Sequence, residues 1–392
     1  MKALPLKNVR VTDFSWQIAG PTCTRYLGAM GAEVIRIESN RRPDPYRERS
    51  ISKFINQSKT SATINLAEPN GLDLARQLIS ISDVVIENFA PGVIERLGLG
   101  YSDLTQIHPG IIMLSSAGLG HSGPDMNHVA YGTLIQCFTG WSAVQSYPDG
   151  LPDIGGIWTD PMVGMLEVFL INAALHQSWN TGKGQYIDLS MAEATTMLLP
   201  ELILDYFMNG RIPQPVGNRH QSFAPHGNYP CLGTDQWIGI TVTTELQWQS
   251  LCEILGHSEL SDDPRFDNSI KRKQNEEDLD ILIGSFTKTI DGMSLMEKLQ
   301  NIGIAAGPAL PLEKFWDNKQ LRYRKFFQTY QEESGEHVST ELPTVPWLLN
   351  GKREVNITGQ PTRGQHNDYV FKEILGLSKD EVGTLTEGNA IY

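Results

Sequence analysis

The 392-residue sequence is poor in cysteine, with Cys23, Cys137, Cys231 and Cys252 its only four. No two of them form a C-x-x-C pair. That spacing excludes a disulfide scaffold and reads as reduced, mostly buried thiols. The nine histidines contain no H-E-x-x-H and no pairing with cysteine at metal-ligand spacing, so no metal is expected. No apolar run approaches the roughly 20 residues that a membrane span needs. The stretch MKALPLKNVRVTDFS lacks the apolar segment and small-residue cleavage site of a signal peptide. A cytoplasmic protein with no membrane partner is expected. G-x-S-x-G is absent, which disfavours a serine esterase of the α/β-hydrolase kind. Positive charge is also short: 32 Lys and Arg face 45 Asp and Glu, a formal net charge of −13. That average field repels a polyanion and argues against nucleic acid. An anionic small ligand would need a local basic cluster. Arg41, Arg42, Arg47 and Arg49 are one candidate, although as bare sequence they read as solvated charges paired with Asp44 and Glu48.

What the chain does have is strand and helix patterning that alternates through its first 200 residues. NVRVTDFS, AEVIRIE, SATINL, DVVIEN, GIIMLSSAG and QYIDLS read as strands. GPTCTRYLGAMG, EPNGLDLARQLISIS and PMVGMLEVFLINAALHQSWN read as helices between them, with Gly31 a stop for the first. Such alternation implies right-handed crossovers and a parallel sheet covered on both faces, an α/β, Rossmann-like, doubly wound domain over 1–210. Residues 211–227, RIPQPVGNRHQSFAPHG, have linker composition. Residues 228–310 read as a smaller α+β domain. In it, NYPCLGTDQWIGITV forms a hairpin, TELQWQSLCEIL, SIKRKQNEEDLDILIGSFTK and SLMEKLQN form helices, and GIAAGPAL closes as a strand. Residues 311–345 read as a helix-rich second linker. Two more helices, DYVFKEILGL and SKDEVGTLTEG, follow within 346–392.

Two glycine patterns are decoys. Gly118, Gly120 and Gly123 satisfy G-x-G-x-x-G after a strand, but Pro124, Asp125 and Asn127 follow instead of a helix, so a loop is expected in place of a dinucleotide site. Thr181-Gly182-Lys183-Gly184 lacks P-loop spacing and reads as a helix-to-strand turn. Asp160, in GGIWTDPMVGM, has two readings. Asp is a preferred N-cap with Pro161 at the first helical position. The same place suits a nucleophile, because a helix start holds a carboxylate ionised and Gly155 and Gly156 permit close approach of a substrate.

Several stretches taken in order carry a wider likeness: DFSWQIAGP, GAEVIRIE, VVIENFAPGVIERLGL, SSAGLGHSGP, AYGTLIQCFTG, TGKGQYIDLSM, GNRHQSFAPHGNY, DDPRFDN and GIAAGP. Across nearly its whole length the chain resembles the class III CoA-transferases, which include formyl-CoA, carnitine and benzylsuccinate CoA-transferases. The resemblance implies an interlocked-ring dimer, with residues 346–392 returning to the large domain. The partner would be a second copy, or a related chain in a heterodimer, and the active site would lie between the large domain of one chain and the small domain of the other. It implies coenzyme A, carried as an acyl-CoA substrate, and a carboxylic acid acceptor, with succinyl-CoA a candidate donor. Asp160 matches the family nucleophile, which attacks the thioester and passes through a mixed anhydride and an aspartyl-CoA thioester. Thioester energy is conserved in that exchange, so neither ATP nor a metal is required. Ile18, Ala19, Ile64, Asn88, Phe89 and Pro91 match CoA-contacting positions, Arg96 matches a phosphate-pairing arginine, and Arg42 would approach the adenosine phosphate. Ser39 stands where some relatives carry Arg. Backbone N–H groups near Gly155 and Gly156, or in the loop 221–227, would stabilise oxyanions.

The chain also departs from the family pattern. Tyr131-Gly132 replaces the tyrosine–glutamate pair of formyl-CoA transferase, and HQSFAPHGNY replaces its glycine-run loop, which argues against oxalate. Trp16, Trp141 and Trp158 hint at a larger, partly apolar acid. Three alternatives remain at the level of sequence: an acyl-CoA racemase, disfavoured because Tyr131-Gly132 also replaces the His-Asp pair of the racemases, an intramolecular transferase, and one subunit of a heteromeric transferase.

Overall fold

β-branched and aliphatic residues in short runs make six strands: Arg10–Asp13 (β1), Glu33–Glu38 (β2), Lys59–Thr63 (β3), Val84–Glu87 (β4), Ile112–Ala117 (β5) and Tyr186–Ser190 (β6). In the computed structural model, which describes residues 4–331 and 339–392, they form one sheet in the order β3-β2-β1-β4-β5-β6. Every neighbouring pair is parallel. Parallel strands need crossovers, and the helices of those crossovers cover both faces, which is why the central strands are apolar on both sides.

Alternate residues along each strand enter different cores. Val11, Val34, Val84, Ile86, Ile112 and Leu114 pack with Cys23, Leu27, Ile171, Ala174 and Leu175 from the Ala19–Ala29 and Thr159–Thr181 helices. Ile35, Ile37, Val85 and Met113 pack on the opposite face with Leu74 and Leu78 of the Pro69–Ser80 helix. Gly164 lets the two helices of the first face approach closely, since a Cβ there would stand 2.5 Å from the Ala19 carbonyl oxygen. Near its C-terminus the chain comes back to the second face. Val370, Phe371, Ala390 and Ile391 enter its core, and Asn65 N–H donates to Ala390 O at 2.9 Å. These segments form one compact unit, Met1–Ser142, Ile154–Arg211 and Leu321–Tyr392.

The other unit comprises Ala143–Asp153 and Ile212–Gln320. Its antiparallel sheet joins His226–Pro230 (β7), Trp237–Thr241 (β8) and Ala305–Pro308 (β9). Helices cover it around Trp248, Leu251, Phe266, Leu279, Ile283, Leu295 and Leu299. Thr244, Asn268 and Asp291 cap three of these helices by accepting backbone N–H groups, as such side chains do. The segment 143–153 joins this unit through Gly217 N–H donating to Ser146 O (3.0 Å) and Asn218 Nδ2 donating to Tyr147 Oη (2.8 Å).

Some local expectations change. The helix read through 269–288 is two, Ser269–Gln274 and Glu276–Thr287. Asn275 breaks it by donating its side-chain amide to Lys271 O and Arg265 O. Within the stretch read as the second linker, Phe327–Gln331 (β10) and Ser339–Pro343 (β11) pair antiparallel. DYVFKEILGL forms a π-helix over Tyr369–Ile374. The two decoys resolve as expected. Residues after Gly123 run as loop until Gly132, and Gly182 ends its helix with φ at 71° before β6 begins.

Candidate active site

Strand order reverses between β1 and β4, and a parallel sheet opens a crevice at the carboxyl ends of its strands at such a point. A cleft of about 800 Å³ lies there, within the larger unit. Its rim is built by the loops that follow β1 and β4. Trp16 N–H donates to Asn88 Oδ1 at 2.7 Å and Asn88 Nδ2 returns to Trp16 O at 2.8 Å, so the side chain of one loop clamps the backbone of the other. The Trp16 and Phe89 rings meet edge to face at 6.0 Å.

Ile18, Ala19, Arg42, Ile64, Asn88, Phe89, Pro91 and Asp160 all line this cleft. Arg96 does not. It is exposed at the end of the short Val93–Arg96 helix. Its guanidinium lies over Gly92, where a Cβ would come within 2.8 Å of Nη1, between the lining residues Pro91 and Val93.

The helix that carries Asp160 starts two residues earlier than the cap reading expects. Thr159 is its first residue, Trp158 is the N-cap, and no side chain caps it. Asp160 therefore lies inside the first turn and does not spend its carboxylate on capping. Asp160 lines the cleft together with Ser116, Gly118, Tyr131 and Met191. Burial raises its pKa above the ordinary aspartate value, while a hydrogen bond from its own backbone N–H acts the other way.

The basic cluster divides in two, which corrects its reading as surface charge paired with Asp44 and Glu48. Asp44 is held by Arg36 at 2.6 Å and accepts the Gln17 and Tyr46 N–H groups. Arg47 is buried against Glu38 at 2.8 Å. Glu48 is met by Arg363 at 3.8 Å. Arg41 and Arg42 are left exposed on the cleft wall. Arg41 lies 3.6 Å from Glu68, and Arg42 stands 5.4 Å from the centre of the Trp16 ring. A guanidinium over an indole face stays available to a phosphate.

Charged groups are also buried beneath the cleft. Asp13 is fully buried; burial pushes its pKa up, but Lys59, Arg36 and the Ser15 and Thr24 hydroxyls outweigh this and hold it low. Lys59, donating to Asp13 at 3.3 Å, is pushed down to about 8 by burial. Glu167 is 0 % exposed and lies two turns along the helix from Asp160. Burial raises its pKa to about 8, against the opposing hydrogen bonds of Ser116 and Cys23.

Sequence reading passed over several residues of the cleft wall. Gln17 adopts φ of 60°, a left-handed conformation uncommon outside glycine, and lines the cleft with His128 and Tyr131. Nothing in a polar-residue pattern marks a left-handed backbone, and the segment Met126–Tyr131 is brought in by the loop after β5. Among the described residues no group of three or more His, Cys, Asp or Glu is placed to hold a metal ion, and no helix is long and apolar enough to cross a membrane.

Comparison with known proteins gives a consistent assignment. Residues 6–367 match the model of CoA-transferase family III. The chain is 30 % identical over 392 residues to a succinyl-CoA–D-citramalate CoA-transferase of Chloroflexus aurantiacus, covering 97 % of this chain and 96 % of that one. It is 27 % identical over 400 residues to the beta subunit of a succinyl-CoA–L-malate CoA-transferase of the same organism, covering 99 % and 98 %. Among solved structures, a CAIB/BAIF family protein from Brucella suis superposes with a TM-score of 0.87 at 27 % identity, covering 95 % of this chain and 100 % of that one.

Proposed function

The chain belongs to CoA-transferase family III and is an enzyme of that class; from that premise we propose that it moves CoA from succinyl-CoA to a small carboxylic acid through covalent catalysis on Asp160. The observation that carries this reading is the placement of the Asp160 carboxylate, uncapped, in the same cleft as the loops after β1 and β4. Succinyl-CoA is favoured as donor because relatives acting with citramalate, malate and glutarate all carry it in their names.

The chemistry proceeds by acyl exchange. The Asp160 carboxylate attacks the thioester carbonyl, the carbon–sulfur bond breaks, and CoA thiolate leaves a mixed anhydride. The thiolate then attacks the Asp160 acyl carbon, forming an aspartyl-CoA thioester and releasing succinate. The acceptor carboxylate attacks that thioester and expels the thiolate. The thiolate takes the acceptor acyl group and frees Asp160. A partly desolvated carboxylate is a stronger nucleophile than a fully hydrated one, which suits the environment of Asp160. In this reading Ile18, Ala19, Ile64, Asn88, Phe89 and Pro91 hold the CoA moiety, Arg42 meets its phosphates within the cleft, and Arg96 meets phosphate outside it.

We also propose an intertwined dimer. The Pro200–Asn209 helix has no buried residue and exposes Leu204, Phe207 and Met208, an apolar surface that association would cover. The relative named as a beta subunit favours a second form of the assembly, a heterodimer with a related chain.

The test is incubation with succinyl-CoA and a panel of hydroxy and dicarboxylic acids, followed by mass spectrometry for a CoA adduct on Asp160. Asp160→Asn is expected to abolish transfer and the adduct while the dimer still forms. Transfer by Asp160→Asn would refute the covalent route.

A further inference from the structure

We infer that Gly132 and Gln136, one turn apart on the Gly132–Phe138 helix, are positioning residues that form a seat for the Asp160 carboxylate. The inference rests on the covalent reading of Asp160.

Two independent contacts make the seat. At Gly132 the absence of a side chain is used directly. A Cβ built there would stand 2.7 Å from Asp160 Cγ and nearer still to Oδ2. The carboxylate therefore lies against bare backbone, and in this chain an added methyl group would turn it from its present direction. At Gln136 the side chain is wholly buried, and its Nε2 donates to Gly156 O at 2.9 Å and to Thr159 Oγ1 at 3.1 Å. The Gly156 carbonyl also takes the Trp158 N–H at 2.9 Å. An amide turned the other way would set Oε1 against that carbonyl, so the acceptors dictate the orientation.

Gln136 thus fastens the turn that immediately precedes Asp160, and Gly132 receives the carboxylate that the turn delivers. Trp141 braces the same turn from a third side. Its ring meets Trp158 at 5.1 Å, and its Nε1 is anchored on Thr195 O at 3.1 Å. An Asp side chain has free rotation about two bonds, so without such a seat its oxygens would sample directions away from the thioester. A displacement of about 1 Å in a reacting group can cost about a hundredfold in rate.

The experiment compares wild type, Gln136→Met and Gly132→Ala. Methionine preserves the length and apolar body of glutamine and removes both donated hydrogen bonds. Steady-state kcat and KM for succinyl-CoA, the rate of CoA adduct formation on Asp160 in quenched samples, and the melting temperature are measured for each. In Gln136→Met, kcat is expected to fall about a hundredfold, with adduct formation slowed in parallel, KM changed less than about threefold and the melting temperature close to wild type. Wild-type kcat in Gln136→Met, or a loss shared equally with succinyl-CoA binding or with melting temperature, overturns the seat. Gly132→Ala is expected to show the same split; should it fail to fold, Gln136→Met decides. An adduct in wild type that Gln136→Met forms equally fast removes only the seat, whereas turnover by Asp160→Asn removes the covalent reading beneath it.

Discussion

Replacing Glu167 by glutamine should make the larger unit more stable at alkaline pH and leave it nearly unchanged in mild acid. The carboxyl is wholly enclosed. Burial is the main cause of its elevation from the ordinary 4.5 to about 8; the Ser116 hydroxyl opposes the shift, and the charges of Asp13 and Asp160 add to it. A group whose native pKa is raised favours the fold fully below its unfolded value and loses that contribution as pH climbs through the native value. Each pH unit between the two values costs about 1.4 kcal/mol. From about pH 5 to about pH 8 the native state should therefore lose on the order of 3 kcal/mol that Glu167→Gln keeps. Urea unfolding at one fixed protein concentration, followed by tryptophan fluorescence across that range, measures the difference. Subtracting the variant from wild type cancels the titration of groups that Glu167 does not touch. A difference that stays flat with pH would refute the reasoning and mean that the group is hydrated or ionised in the folded protein. A protonated carboxyl band in the infrared spectrum near neutral pH, lost in the variant, is the independent check.

Other outcomes follow from the same geometry. Arg42→Ala should raise the dissociation constant for succinyl-CoA by roughly three- to thirtyfold, as expected for the loss of one charge-assisted contact, and should flatten its dependence on salt; titration calorimetry at two ionic strengths reads both. Gly164→Ala inserts a methyl group against the Ala19 carbonyl and should destabilise the larger unit by about 1–3 kcal/mol, measured by urea unfolding.

Much of the sheet was legible because its information is local. Alternating strand and helix patterns with glycine stops, such as Gly31 at φ of 102°, mark the elements, and chirality restricts how parallel strands connect. Asp160 was legible as a residue at a helix start, but its freedom from capping was not. A sequence cannot reveal that Trp158 takes the cap position and leaves an Asp uncommitted. The arginine run misled for a related reason: the partner of Asp44 is Arg36, eight residues earlier on β2, not a neighbour within the run. The Gly132 contact was beyond reach for a different reason. It joins residues 28 apart through the packing of two helices, and the sequence signal is the lack of a side chain. Asn275 was read through as helix because its i−4 hydrogen bond competes with the helix only once Arg265 O is in place.

The larger unit is built from chain segments that synthesis separates widely. The side of its sheet that holds Ile35, Val85 and Met113 is closed by Phe371 and Ile391, and Ser61 is bonded to His366 across 305 positions. A ribosome must therefore translate through Ile391 before that side can be sealed, and the nascent chain carries an open greasy surface through the translation of everything between. Chaperone occupancy during biosynthesis should be long for this protein, and termination ahead of Phe371 should yield aggregates in place of a trimmed enzyme.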